Sequence, residues 1–176
     1  MASLIPRKEL HTLLTALAGL PRDGWRLTVV GNLTLDPPYV RAIRRQIEAL
    51  GLTSQVSLGG TLPDADLAGL LAQSHLLVVP SSYEGLGIAY LEGMRFGLPA
   101  IATTAGAAHE IISQDRDGFL VPPKDAAALA RCLGILIKDR RQLLKMSLAA
   151  QESAASHPTW EVCGARVRRF LHQFPG

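Results

Sequence analysis

The sequence predicts an α/β domain built on a doubly wound parallel sheet of about six strands. Three observations carry that expectation. The chain has 176 residues, enough for one domain with a sizeable core. Hydrophobic residues make up 48% and aromatics only 5%, so that core should be aliphatic. Short apolar runs alternate with helical patterns, and successive runs close on glycine turns, which places a ligand at the strands' C-terminal ends.

Taken in order, Leu4-Ile5 reads as the remnant of a strand, so the start at Met1 is expected to fall inside a first strand, as in a fragment or excised domain. Leu10, Leu13, Leu14 and Leu17 then repeat with helical spacing until Gly19 and Pro21. Trp25 to Gly31 is a second strand, and Gly31 stands where backbone approaches a ligand in such sheets. Asp36-Pro37 starts a helix to about Leu50, with Val40, Ile43, Ile47 and Leu50 inward. Arg41, Arg44 and Arg45 fall on its wet side; they read as a solvated face, with peripheral membrane contact as the second expectation. Val56-Ser57-Leu58 is a strand followed by the loop Gly59 to Pro63, and Asp64 or Asp66 is expected to cap the next helix.

The centre of the chain is the stretch from Leu76 to Gly97. Leu76-Leu77-Val78-Val79 reads as a strand buried on both faces, ended by Pro80. A turn with Gly85 and Gly87 follows, and from Ile88 the pattern is helical. Strand, glycine turn and helix together aim backbone N–H groups and a helix N-terminus at an anion. Two carboxylates, Glu84 and Glu92, bracket this turn. A carboxylate accepts hydrogen bonds only, which suits a ligand rich in hydroxyls. A sugar joined to a ribose through a diphosphate has that layout.

After this stretch come the strand Ala100 to Thr103, a small-residue loop into a helix carrying Glu110, and the strand Gly118 to Val121. Glu110 reads as a first-turn carboxylate answering the helix dipole. Asp125 caps a helix to Ile137, a further helix runs from Arg140 to Ala155, and His157-Pro158-Thr159 opens the last one. Residues 1–157 are expected to form the ligand-binding domain and 158–176 a separate C-terminal helix, with Trp160, Cys163, Val167 and Leu171 along one side.

Glu84-Gly85-Leu86-Gly87-Ile88-Ala89-Tyr90-Leu91-Glu92 resembles the Glu-x7-Glu motif of retaining glycosyltransferases with the two-domain GT-B fold, of the glycosyltransferase family 4 type. The resemblance covers nearly the whole chain, but only that family's C-terminal, Rossmann-like donor-binding half. It implies a nucleoside-diphosphate sugar, UDP- or GDP-linked, as co-substrate, and no other cofactor. It implies that Glu92 holds the ribose hydroxyls, that Glu84 faces the donor sugar, and that Lys8 grips the diphosphate. The loop with Thr61 and Leu62 would lie beside the base. The N–H groups of Leu86, Gly87 and Ile88 would join Lys8 in stabilising charge on the leaving phosphate. A hexosyl group would pass with retention to an acceptor glycan or lipid held by an N-terminal domain, toward which the last helix would pack. Two departures stand out: Ser3 replaces the family's usual arginine, and Glu9 its usual glycine after the lysine.

Other readings are weaker. A net charge of +3 without an aromatic-rich basic stripe does not indicate nucleic acid. Cys132 and Cys163 offer no disulfide framework and no zinc spacing, so a cytoplasmic setting and a metal-free site are expected, with peripheral contact at the inner face of a membrane as the variant. The opening motif of nicotinamide dehydrogenases is absent. A glycoside hydrolase would set its carboxylates across a cleft, whereas these two flank one loop. A nucleotide-sugar binding module, inactive without its other half, and a GT-B-fold epimerase remain as alternatives. The purely structural alternative makes Glu84 a surface loop residue and pairs Glu92 with Arg95.

Overall fold

The computed structural model describes residues 3–173; the side chain of Trp160 lies outside the description, as do Met1 and Ala2 of the expected first strand and the last three residues of the expected C-terminal segment. Among the described residues five strands alternate with helices, and three successive helices close the chain: α1 (Leu10–Ala18), β1 (Leu27–Val30), α2 (Pro37–Ala49), β2 (Val56–Gly60), α3 (Asp64–Ala72), β3 (Leu77–Val79), α4 (Ile88–Arg95), β4 (Ala100–Thr103), α5 (Ala108–Ile111), β5 (Gly118–Val121), α6 (Ala126–Lys138), α7 (Arg140–Ser156) and α8 (Trp160–Leu171). All strand pairs are parallel. β1 pairs with β2, and β3, β4 and β5 form a second sheet in that order.

The class is the expected one, but the sheet is smaller and divided. Among the described residues Leu4-Ile5 is not a strand. The segment is extended at Ile5 and makes one ladder-like bond, Leu4 N–H to the Asn32 carbonyl at 3.0 Å. Two residues with one bond do not make a ladder, and β1 and β3 are therefore not joined.

Double winding is visible in β4. Ile101 packs into a cluster with α1, α2 and α6, whereas Ala100 and Ala102 pack with Tyr90 and Met94 of α4 and Ala150 and Ala154 of α7. Successive side chains point to opposite faces, so both faces of this strand are covered by helices. All four β4 residues are buried.

The caps follow local chemistry. Asp36, Asp125 and Asp139 each accept a backbone N–H in the first turn of the helix they precede. α3 differs from expectation: Pro63 is its N-cap, and Asp64 and Asp66 sit in its first turn, answering the dipole rather than capping. In α8, Cys163 is half-buried while Val167 and Leu171 are exposed.

β3 departs from the reading of a fully buried strand. Leu77, Val78 and Val79 are only half-buried. One edge of β3 meets β4, and the other opens on a cavity.

Candidate functional site

The site begins with a junction between two loops. A 3-10 turn at Pro6–Lys8 follows the first extended residues. The Ser82 N–H donates to the Arg7 carbonyl at 2.9 Å, which ties this turn to the loop after β3. That loop is held from its other side as well. The Glu84 N–H donates to the Ala105 carbonyl at 3.3 Å, and the Ala107 N–H donates to the Glu84 carbonyl at 2.9 Å. Gly106 lies against Glu84 with φ +88°, and a Cβ there would come within 2.0 Å of the Glu84 carbonyl oxygen. The backbone of Glu84 is thus clamped by the loop after β4.

Its carboxylate is clamped too. Lys8 Nζ donates to Glu84 Oε2 at 2.6 Å, and buried Ser81 donates through Oγ to the same oxygen at 3.1 Å. Arg7 reaches the Tyr83 carbonyl, with its guanidinium 3.9 Å from Glu84 Oε2. The Lys8 and Glu84 side chains are only 17% and 20% exposed, so this pair is shielded rather than solvated. Charge-assisted bonds to a held carboxylate are the strong kind. Glu84 is therefore not a free surface residue.

Beyond it the chain turns sharply into α4. Gly87 is the N-cap at φ +70°, a left-handed conformation; a Cβ there would meet the ring of Tyr90 at 2.6 Å. Tyr90 is buried beneath this turn, and burial together with the nearby Glu84 charge pushes its phenol well above the usual value. Among the described residues no acceptor takes the N–H groups of Leu86, Gly87 or Ile88. Leu86 and Ile88 are exposed. These amides and the dipole of α4 form an anion-attracting end beside Lys8.

Glu92 lies one turn further along α4, exposed, with no hydrogen bond or ion pair among the described residues. The expected alternative partner, Arg95, does not engage it. Glu92 and Lys8 both line the cavity between β1 and β3.

Gly31 follows β1, and Thr61-Leu62 follow β2. The Gly31 N–H donates to the Gly60 carbonyl at 2.8 Å, and Gly60 turns the chain at φ +70°. These residues share the C-terminal end of the strands, yet no hydrogen bond or ion pair joins them to the Glu84 cluster among the described residues. The structure thus brings Lys8 and Glu84 into contact and leaves the α4 amides and Glu92 open.

Two contributors were not singled out by sequence: Arg7, the neighbour of Lys8, and Ser81, which follows Pro80. Glu110 is exposed on the four-residue helix α5 and makes no contact with Glu84. No group of three or more His, Cys, Asp or Glu residues suited to a metal occurs among the described residues.

Comparison with known proteins gives a consistent picture. The profile of the family described as Glycosyl transferases group 1 matches residues 1–153. A GDP-mannose-dependent alpha-(1-6)-phosphatidylinositol monomannoside mannosyltransferase of Mycobacterium tuberculosis is 28% identical over 180 residues, covering 97% of this chain and 46% of the relative. An MMP alpha-(1->4)-mannosyltransferase of Mycolicibacterium hassiacum is 32% identical, covering 93% and 39%. Anabaena HepE, solved in complex with UDP, is 28% identical and superposes with a TM-score of 0.91 over 99% of this chain and 48% of that one. Its complex with UDP-glucose gives a TM-score of 0.89. The chain spans about half the length of the curated relatives it matches.

Proposed function

The chain belongs to the Glycosyl transferases group 1 family, and from that premise we propose that it is a donor domain, binding a nucleoside-diphosphate sugar for retaining transfer of a hexosyl group. The observation that carries this reading is the contact between Lys8 and Glu84 beside the open amides of α4. It puts a cation, a helix N-terminus and a fixed carboxylate within one small region.

Each group has a role. Breaking the sugar–phosphate bond leaves negative charge on the departing diphosphate. Lys8 Nζ and the N–H groups of Leu86, Gly87 and Ile88 meet that charge with donors already in place, so little reorganisation accompanies the step. Glu84, held by Lys8 and Ser81, presents its remaining acceptor capacity to the sugar hydroxyls and orients the ring. Glu92 accepts from the ribose hydroxyls; it is exposed and has no partner to give up among the described residues. Gly31 lets backbone approach the nucleotide, and Thr61-Leu62 border the base. Named relatives use GDP-mannose, and HepE was solved with UDP; the donor here is a UDP or GDP sugar. On this reading Lys8 and the backbone amides meet the leaving-group charge, Glu84 positions the sugar, and no metal is called for.

Because the chain spans about half of its relatives, the acceptor is read as bound elsewhere, and this domain alone binds donor without transferring sugar. Calorimetric titration with UDP, GDP and ADP, repeated on Glu92→Ala, tests the reading. Saturable binding of one nucleotide, weakened in the variant, supports it and names the base. Equal binding by parent and variant removes Glu92 from the site, and no binding of any nucleotide overturns the donor assignment for this chain.

A further inference from the structure

A second cavity, of about 620 Å³, opens beside the turn that carries Lys8. Arg7, Glu9, His11, Thr12, Ser82 and Lys124 line it. None of them lines the cavity that holds Lys8 and Glu92. The lining is polar, and it combines one buried carboxylate with two cations.

The carboxylate is Glu9, only 4% exposed. Its Oε2 accepts from Thr12 Oγ1 at 2.7 Å and faces His11 Nε2 at 3.0 Å. His11 is fixed in turn. Its Nδ1 lies 3.0 Å from the Tyr39 hydroxyl, the two rings meet edge to face, and Gln46 Nε2 donates to the His11 carbonyl at 3.0 Å. With the Nε2 proton toward the carboxylate, Nδ1 accepts from Tyr39. Residues of α2 thus lock the imidazole, and the imidazole locks the carboxylate. Both contacts fall on one oxygen. Oε1 accepts from no group among the described residues. An ionised carboxylate can only accept, so this oxygen suits a donor brought by a ligand.

The cations are Arg7 and Lys124. Arg7 spends one donor on the Tyr83 carbonyl, and its side chain is 45% exposed. A guanidinium has five donors, so most of its fork stays open. Lys124 is exposed, and its side chain makes no hydrogen bond or ion pair among the described residues. Two cations on one cavity suit an anion that takes several donors at once, as phosphate does. The backbone points the same way. Glu9 and Lys124 adopt φ 53° and 62°, and among the described residues Asp115 is the one other non-glycine residue with positive φ. Glycine would hold both turns with less strain. Strain of this kind gathers at ligand sites.

We propose that this cavity is a second ligand site, separate from the nucleotide site, for a phosphate ester of a polyhydroxyl compound. Arg7 and Lys124 hold the phosphate, and Glu9 Oε1 accepts from a neighbouring hydroxyl. The charge on Glu9 repels a bare anion, so an ester that offers it a hydroxyl is favoured over inorganic phosphate. A free polyol phosphate and the head group of a polyol phospholipid share this chemistry.

The test is calorimetric titration of the full chain with glycerol phosphate, inorganic phosphate and glycerol. Saturable binding of glycerol phosphate is expected, with inorganic phosphate weaker and glycerol not bound. Lys124→Gly removes one cation while easing the left-handed turn, so it should fold at least as well as the parent and raise the Kd for glycerol phosphate about tenfold or more. Glu9→Gln should narrow the gap between glycerol phosphate and inorganic phosphate. Lys8→Ala reports any phosphate held at the nucleotide site instead. Binding lost in Lys8→Ala but intact in Lys124→Gly overturns the proposal. So do equal affinities for the two phosphates, or no binding of glycerol phosphate. Phosphatidylglycerol vesicles, with phosphatidylcholine vesicles as control, separate the two sources. Co-sedimentation that glycerol phosphate displaces and Lys124→Gly weakens assigns the site to a head group. Soluble binding without it assigns the site to a free ester. None of these readouts requires a nucleotide to bind, so the outcome is independent of the donor-domain reading.

Discussion

Lys8 Nζ and Glu84 Oε2 lie 2.6 Å apart although 76 positions separate them in the chain. The contact exists because the turn carrying Lys8 is bonded at its backbone to Ser82, two positions before the glutamate. Charge and backbone are aligned together, so substitutions at either end test the donor site directly.

Lys8→Ala removes the cation nearest to the expected diphosphate and leaves Glu84 with Ser81 and the more distant Arg7. One charge-assisted bond is worth roughly 1.5–3 kcal/mol, so the Kd for the preferred nucleoside diphosphate should rise about 10- to 100-fold. Glu84→Gln should act in the opposite direction on the nucleotide alone, because it removes a like charge and frees Lys8. Calorimetry on both variants checks this; a weaker-binding Glu84→Gln would mean that the carboxylate touches the nucleotide itself.

Gly106→Ala tests how Glu84 is held. The added Cβ would lie 2.0 Å from the Glu84 carbonyl oxygen, and φ +88° is a conformation few side chains tolerate. The loop must move, at a cost of about 2–4 kcal/mol. Urea unfolding should show that loss, and nucleotide binding should fall with it. An unchanged midpoint would show that the loop after β4 does not clamp Glu84.

The residues differ in how far sequence alone revealed them. Glu84, Gly87 and Glu92 could be marked because a strand, a glycine turn and a helix follow one another in a few residues, and local order fixes local geometry. The partnership of Glu84 with Lys8, by contrast, depends on two loops meeting, and the role of Arg7 depends on where that meeting leaves a guanidinium. No local pattern encodes either. The half-exposure of β3 was hidden for a related reason. Leu77-Val78-Val79 has the composition of a central strand, but whether a central strand is enclosed depends on its neighbours. The caps at Asp36 and Asp125 were legible because a cap acts within three residues.

Glu9 gives a third prediction. It adopts φ 53°, ψ 33°, a left-handed conformation that glycine takes without the strain a side chain brings. Its buried carboxylate accepts from Thr12 Oγ1 at 2.7 Å and lies 3.0 Å from His11 Nε2. These contacts offset a backbone cost of about 1–2 kcal/mol. Glu9→Gly should therefore stay within about 1 kcal/mol of the parent, since it loses both the contacts and the strain. Glu9→Ala keeps the strain and loses the contacts, so it should be less stable than Glu9→Gly by about 1 kcal/mol or more. Denaturant midpoints of the three proteins decide the order, and an alanine variant as stable as the glycine variant would remove the strain from the account.

Tyr90 gives the last. Burial, then the Glu84 charge, pushes its phenol above the usual value, and burial does the same more weakly for Tyr39. A phenol is neutral when protonated, so the folded chain holds these protons at a pH where the unfolded chain releases them. The associated stability is fully present below the unfolded value of about 10 and is lost as pH rises from there toward the folded values. Urea midpoints should accordingly fall steeply above pH ~10. Tyr90→Phe keeps the ring beneath Gly87 and removes the titrating group, so its midpoints should fall less over the same range. Glu84→Gln should lower the Tyr90 value by removing the nearby charge and so leave a slope between the two. Identical slopes for parent and Tyr90→Phe would place the alkaline instability elsewhere and show that Tyr90 does not report on the charge at Glu84.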